Sequence, residues 1–410
     1  MPAITKCRFC KSIKLIPYLD LGFTPHSDHF PTQEELKESE TSYPLVVVFC
    51  GKCGLSQLSY TVDPREMYQK DYLYQSSVTK TGVEHYNNFA QSVTKKLNLG
   101  KKDLVVDVGS NVGVLLQGFK TAGTKILGVD PAPNIARIAN KRGIRTIPDF
   151  FTPKVAKDVV KKYGKAKVIV GTNVFAHVFN HHEFVKAVKI LMQNNGVFIF
   201  ESPHFSNLME NLEYDTVYHQ HLLYLSLKPV IQFFKNYKME VFDVETKKIH
   251  GGSFRVFIGK NSIHPINKTV RAMLKMELKD NIHSLPKLKI FAKLVANHRV
   301  ELKNLLRDLK RKNKSIAIVS TPAKGMTLLN YCRIGPELID FATEKSELKI
   351  NRFTPGTHIP ILPDSELLKR QPDYALLLAW NFAPEIMKNL SDYKKRGGKF
   401  IVPIPKPSII

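Results

Sequence analysis

The stretch Leu104-Val-Val-Asp107-Val-Gly109-Ser-Asn-Val-Gly113-Val-Leu-Leu116 constrains this chain more than any other. A short apolar run reads as a buried strand. It ends in an acid and a glycine-rich turn, and an apolar-periodic segment then reads as a helix. Strand, turn, helix is the opening unit of a nucleotide-binding α/β domain. The glycines let backbone N–H groups and the helix start come close to a ligand. The spacing is D-x-G-x-x-x-G rather than G-x-G-x-x-G, so other residues must say which nucleotide-like cofactor is bound.

From residue 103 onward, strand-like and helix-like patterns alternate. Strand candidates lie at 104–108, 125–129, 167–172 and 196–201, with helical patterns at 135–142 and 182–192. Alternation of this kind predicts an α/β fold with a doubly wound parallel sheet. Ligands of such sheets sit beyond the carboxyl ends of the strands, where Asp107, Asp130, Asn173 and Glu201 each end a strand run. Residues 266–313 are helical in pattern, interrupted at Pro286. A second α/β unit begins at Ser315-Ile-Ala-Ile-Val-Ser320 and leads through Thr321-Pro-Ala-Lys-Gly325 into a helix. Further strand candidates in it lie at 374–378 and 399–402.

The first 66 residues differ in character. Cys7-Arg-Phe-Cys10 and Cys50-Gly-Lys-Cys53 are two C-x-x-C pairs separated by 39 residues. Residues 1–24 lack the apolar region of a secretory signal, so a metal site is expected rather than disulfides. Four thiolates suit a structural zinc, with no open position for catalysis. Cys332 stands alone in an apolar context and is expected to be a packed core residue. The net charge of +25 points to anionic partners. The basic residues are dispersed, however, which reads as a solvated surface with an anionic small substrate contributing. Nucleic acid is not expected as a partner. No apolar run reaches the roughly 20 residues of a membrane span. The chain is expected to act in the cytoplasm, away from membranes, and as a monomer.

Several polar residues fall where a cofactor would lie. About twenty residues past Gly109, a second strand ends in Gly128-Val-Asp130-Pro131, an acid placed to accept ribose hydroxyls. D-x-G-x-x-x-G with this acid resembles the class I enzymes that use S-adenosyl-L-methionine. The expected cofactor contacts are Asp107, Gly109, Ser110, Gly113 and Asp130. Asp149 and Phe150 suit an adenine, an oxygen for its amino group beside a ring to stack. Asn173 and His177 would face the methionine end.

A second dense segment is Tyr214-Asp-Thr-Val-Tyr218-His219-Gln220-His221. Histidine moves protons near neutral pH, and tyrosine donates to a developing oxyanion. The same alternation could place His219 and His221 on one face as metal ligands. A third segment, His250-Gly251-Gly-Ser253-Phe-Arg255, could hold a phosphate or a sugar, or make a tight turn.

Together these segments resemble the nucleotide-sugar C-methyltransferase family over nearly the whole chain. The resemblance includes both C-x-x-C pairs, Tyr72-Leu-Tyr74-Gln-Ser-Ser77, VDVGSNVG and YDTVYHQH. It continues through HGGSFR, Pro322-Ala-Lys324-Gly325, Thr354-Pro-Gly-Thr-His-Ile-Pro360 and Leu378-Ala-Trp-Asn381-Phe-Ala383. It implies a zinc-binding domain over 1–66, a methyltransferase domain over 67–250 and a Rossmann-like substrate domain over 251–410. It further implies methylation at C3 of a 4-keto-deoxysugar nucleotide, with His221 as base and Tyr218, Tyr74 and residue 220 around the sugar. The family usually has glutamate at that last position; this chain has Gln220. Tyr72, His250, Gly251 and Asn381 are implied substrate contacts. Lys324, Arg255 and Arg352 are expected to pair with the diphosphate. Methylation of a hydroxyl would use the same donor site without an enolate. A zinc-containing nucleic-acid-binding protein is the non-enzymatic alternative.

Overall fold

The computed structural model describes residues 3–70, 72–77 and 79–410, with the side chain of His250 outside the described part. Three sheets organise the chain.

The central sheet forms because its strands are apolar on both faces. Val105, Val106, Ile169, Val170, Phe198 and Ile199 are all buried, as suits strands covered by helices on either side. Its seven strands run in the order Met239–Lys247, Ser253–Lys260, Met192–Pro203, Ala166–Thr172, Leu104–Val108, Lys125–Val129 and Thr146–Ile147. Ser253–Lys260 pairs antiparallel with both its neighbours, while the five strands from Met192–Pro203 to Thr146–Ile147 are mutually parallel. The doubly wound expectation is met. The order reverses between Leu104–Val108 and Ala166–Thr172, and that crevice is where such sheets bind ligands. The expected limit at 250/251 falls inside this sheet, because Ser253–Lys260 hydrogen-bonds along Met192–Pro203.

The N-terminal sheet is antiparallel: Leu15–Pro25 pairs with Ser42–Cys50, and Ser56–Leu58 follows. Its fourth strand, Leu223–Tyr224, comes from the central part of the chain, just after the Tyr218–His221 segment. The cysteine end and the far end of the hairpin are well separated. Leu15 pairs with Cys50 and Pro25 with Ser42, so about ten residues of strand, roughly 30 Å, lie between them.

The C-terminal sheet has the order Ile361–Pro363, Phe341–Glu344, Ile316–Val319, Tyr374–Leu377, Lys399–Val402 and Ser408–Ile409. All but the last strand are parallel. Of the two helices in 266–313, Lys268–Lys279 and Leu285–Arg311, the second begins with Pro286 in its first turn. There the missing N–H costs no helical hydrogen bond. The long helix buries Leu288, Phe291, Val295, Leu302, Leu306 and Leu309. That stripe shares one core with Leu19 and Leu45 of the N-terminal sheet and Leu328 and Ile318 of the C-terminal one. Among the described residues, no helix is long and apolar enough to cross a membrane.

Candidate active site and cysteine centre

The turn after Leu104–Val108 is built to admit a ligand. Gly109 has φ +69, and a Cβ there would run into Val174. Gly113 has φ +83 at the start of the helix Val114–Thr121, where a Cβ would lie 2.7 Å from Ile144 Cγ2. Gly113 therefore shapes the turn from behind rather than lining the cavity. Asp130 accepts from Asn111 N at 2.8 Å and Ala132 N at 3.0 Å, which ties the end of the second strand to the first turn. Asp107 Oδ1, Ser110 Oγ and Asn173 Oδ1 are buried without hydrogen-bond partners. Burial, with Asp130 nearby, pushes the Asp107 carboxyl well up. Buried polar atoms without partners are costly, and here they line one cavity. This donor set fits S-adenosyl-L-methionine: acceptors for ribose hydroxyls and an ammonium group at a glycine turn.

Phe150 lines the cavity too, but Asp149 does not. Asp149 is exposed and accepts the Phe150 N–H at 2.7 Å. Its short side chain is spent on its own backbone, and the expectation that it meets an adenine is not supported.

The cavity has a volume of about 730 Å³ and draws its walls from all three parts of the chain. Its chemical centre is His221. Thr216 O lies 2.8 Å from His221 Nδ1. A carbonyl only accepts, so Nδ1 carries the proton. Nε2 then accepts from the Tyr218 hydroxyl at 2.8 Å. The tautomer that leaves Nε2 basic is thus fixed by backbone. His177 lies with its ring centroid 4.8 Å from that of His221, with Nδ1 3.1 Å from the Tyr68 hydroxyl. Burial, then the neighbouring His221, pushes the His177 imidazole well down, so it stays neutral. Burial and the charge of Asp28 raise the Tyr218 phenol well above its ordinary range, which keeps it a donor. Tyr72, Tyr74 and Gln220 line the same space, and Gln220 Nε2 has no partner.

His219 points elsewhere. It packs edge-on against Tyr43 of the N-terminal sheet and is outside the lining. The reading of His219 and His221 as paired metal ligands is therefore corrected.

Of the residues expected at the diphosphate, Lys324 lines the cavity, 3.8 Å over the Trp380 ring and 3.9 Å from Asp215 Oδ2. Asn381 lines it as well. Arg255 does not. It is fully buried in the central sheet, bonded through Nε and Nη2 to Glu201 at 2.9 and 2.8 Å and stacked over Phe89. A guanidinium sealed by a carboxylate has no fork left for a ligand. Arg352 is also outside the lining, its Nη1 donating to Phe30 O at 3.1 Å where the N-terminal part meets the C-terminal domain. Gly251 sits in the turn Ile249–Gly251, outside the lining and against Glu213. His250, as a side chain, lies outside the described residues. The sequence reading missed Asp28, Tyr68 and Lys349, all in the lining. No local motif marks them; only tertiary packing brings them in.

The four cysteines converge as expected. All four Sγ atoms lie within 4.8 Å of one another, with Cys7–Cys53 at 3.7 Å and Cys10–Cys50 at 3.5 Å. A tetrahedral zinc with bonds of about 2.3 Å needs sulfur–sulfur edges of about 3.8 Å, so the set fits zinc. Lys11 N to Cys7 O at 3.1 Å and Gly54 N to Cys50 O at 2.9 Å close the two knuckles. Among the described residues this is the sole such cluster. Cys332 is buried in the core against the Tyr214 hydroxyl, as expected.

Three family models match successive parts of the chain. A family model for a zinc-binding domain matches residues 7–68, one for a methyltransferase domain matches 83–243, and one for a C-methyltransferase C-terminal domain matches 248–405. Fold, donor site and these matches define an S-adenosyl-L-methionine-dependent methyltransferase with a four-cysteine zinc-binding domain. A C-methyltransferase, NovU, of Streptomyces niveus is 34% identical over 408 residues, 99% of this chain and 97% of its own. The chain belongs to the C-methyltransferase family. A ubiquinone biosynthesis O-methyltransferase of Methylobacterium sp. (strain 4-46) is 27% identical over 95 residues, 23% of this chain and 38% of its own. A solved S-adenosylmethionine-dependent methyltransferase from Clostridium acetobutylicum ATCC 824 overlays 44% of this chain and 92% of its own, at 11% identity. Its TM-score of 0.35 is too low to bear on function.

Proposed function

We propose that the enzyme methylates C3 of a nucleoside-diphosphate 4-keto-deoxysugar through an enolate that His221 generates. The observation that carries this is the backbone-fixed tautomer. His221 Nδ1 is committed to Thr216 O, and Nε2 faces the cavity beside the Tyr218 hydroxyl. Methylation at carbon requires loss of a C–H proton, and a proton next to a ketone is within reach of a positioned imidazole if the enolate is stabilised.

S-adenosyl-L-methionine, when bound at Asp107, Ser110, Asp130 and Asn173, supplies the electrophilic methyl group. His221 Nε2 takes the C3 proton. The Tyr218 hydroxyl turns from Nε2 to the C4 oxygen, with Tyr74 beside it, and donates to the oxygen as charge develops. His177, half-buried and held neutral, adds no competing positive charge next to the base. Lys324 and Lys349, both in the lining, supply positive charge for the diphosphate. Donor and acceptor share one cavity in this reading, and holding the two in reacting geometry supplies much of the rate gain of a two-substrate transfer.

The test is a panel of 4-keto-deoxysugar nucleotides with mass detection of one methyl replacing one hydrogen. It is paired with solvent deuterium exchange at C3 in the absence of the methyl donor. His221→Ala is expected to lower turnover by about a hundredfold to ten-thousandfold and to abolish the exchange, with donor affinity unchanged. Methylation without any exchangeable C3 hydrogen would point to a hydroxyl acceptor and end the enolate reading.

A further inference from the structure

Two buried carboxylates in the cavity lining, Asp28 and Glu344, have no part in the mechanism above, and Glu344 is consumed by the Thr321 N–H and hydroxyl. Asp28 follows the strand Leu15–Pro25 and is 5% exposed. It is part of the N-terminal module, yet it lines the cavity in the central methyltransferase region. Asp28 lies three residues beyond Pro25, the end of the hairpin farthest from the Leu15–Cys50 pair.

Its surroundings differ from those of the other buried acids. Glu277 is consumed by the backbone N–H of Lys228 at 3.1 Å and by His204 at 2.9 Å. Glu201 is consumed by Arg255 and His85. Asp28 instead faces open space with Tyr68, Tyr72, Tyr74 and Tyr218 around it, all of whose phenols its charge pushes up after burial does. Burial pushes the Asp28 carboxyl up, and Lys349 and the Gln220 amide oppose that rise. Lys349 is itself fixed, donating to Thr321 O at 2.7 Å with its ammonium 4.4 Å over the Phe30 ring. Gln220, 2% exposed, turns its amide N–H toward the carboxylate without closing a short hydrogen bond, which leaves Nε2 able to donate to a bound group.

An acceptor and a donor side by side on one cavity wall suit a group that both donates and accepts. A hydroxyl is that group. We propose that Asp28 is an acceptor-binding residue: its carboxylate takes a hydrogen bond from a ring hydroxyl of the sugar, the Gln220 amide donates to the same hydroxyl, and the ring is held so that the C–H bond to be broken points at His221 Nε2. The assignment rests on the sugar reading above. It gives the zinc-bearing module a direct part in choosing the acceptor.

The experiment compares wild type with Asp28→Asn and Asp28→Ala on a 4-keto-6-deoxysugar nucleotide and on analogues each lacking one ring hydroxyl. On the full sugar, Asp28→Asn is expected to lower kcat/KM about tenfold to a hundredfold, the range for a lost hydrogen bond to a charged group. Donor affinity and zinc content should stay at the wild-type level. On the analogue that lacks the contacted hydroxyl, wild type and variant should agree within about threefold, since the contact is absent from both. The assignment is overturned by wild-type kinetics in Asp28→Asn, by an equal loss on every analogue, or by loss of donor binding. If the wild-type enzyme turns over no sugar nucleotide, the sugar reading fails and the assignment fails with it.

Discussion

The two α/β sheets place an acid and a turn in the same relation, yet only one of them is left open. In the central sheet, Asp130 at the end of the second strand accepts the Asn111 N–H of the first turn. In the C-terminal sheet, Glu344 at the end of its neighbouring strand accepts the Thr321 N–H at 2.9 Å and the Thr321 hydroxyl at 2.8 Å. Around the central turn, Asp107 and Ser110, with Asn173 after the neighbouring strand, keep unmet polar atoms. Its counterpart is closed. Lys349 donates to Thr321 O, Ser320 N reaches Thr343 O, and none of the described polar side chains of 320–324 is orphaned. Glycines at the first turn admit a ligand to the backbone; Thr321 and Pro322 at the second fill that room themselves. One architecture thus gives a cofactor cradle in one place. In the other it gives a rigid wall that presents Lys324 and Lys349.

The largest expected effect tests that asymmetry directly. Gly109→Ala places a Cβ against Val174 at a positive φ. It should weaken S-adenosyl-L-methionine binding by at least about a hundredfold, since both strain and overlap must be relieved. Pro322→Ala in the second turn should leave that affinity within about twofold. Calorimetric titration of both variants is the measurement, and comparable losses would break the comparison.

A smaller effect tests whether the second turn is closed by its acid. Burial works against the Glu344 carboxylate, but Lys349 and Thr321 hold its pKa low. Glu344→Gln keeps the shape and removes the charge. It should cost about 2 kcal/mol of stability above the ordinary carboxylate range. That cost should fade as pH falls through the depressed folded value, because the wild-type carboxyl is then protonated too. Chemical denaturation across pH reads this out, and an unchanged donor affinity would confine the effect to the second sheet.

Much of this contrast could be read in the sequence, for physical reasons. The strands 104–108 and 125–129 match Leu104–Val108 and Lys125–Val129 because short, mostly apolar runs bounded by turn residues carry their own signal. The cysteine cluster was legible because two C-x-x-C pairs specify local geometry. Arg255 misled because an arginine beside two glycines looks the same whether it meets a phosphate or a buried Glu201. Asp149 misled because local side-chain-to-backbone bonding competes with ligand binding. Phe341–Glu344 and Ile361–Pro363 are too short to show periodicity. Asp28 and Lys349 come within electrostatic reach of one another across more than 300 residues of sequence, and no window-based pattern contains such a pair.

The smallest predicted effect lies where the two halves touch. Lys324, on the helix after the closed turn, faces Asp215 and Glu213 of the central domain. Burial, with Asp215 close by, pushes the Glu213 carboxyl up to about 7, against an unfolded value of about 4.3. A carboxyl raised in the folded state binds its proton more tightly there, so folding is penalised once the unfolded chain ionises. The penalty is absent below about pH 4, grows between there and about pH 7, and is constant above. Glu213→Gln removes it. The variant should match wild type at pH 4 and exceed it by at least about 1 kcal/mol at pH 8. Unfolding free energies at the two pH values check the sign. If the variant instead loses stability at pH 8, the fold stabilises the Glu213 carboxylate as a counter-charge to Lys324, and the charge presented to the substrate is held by two carboxylates rather than one.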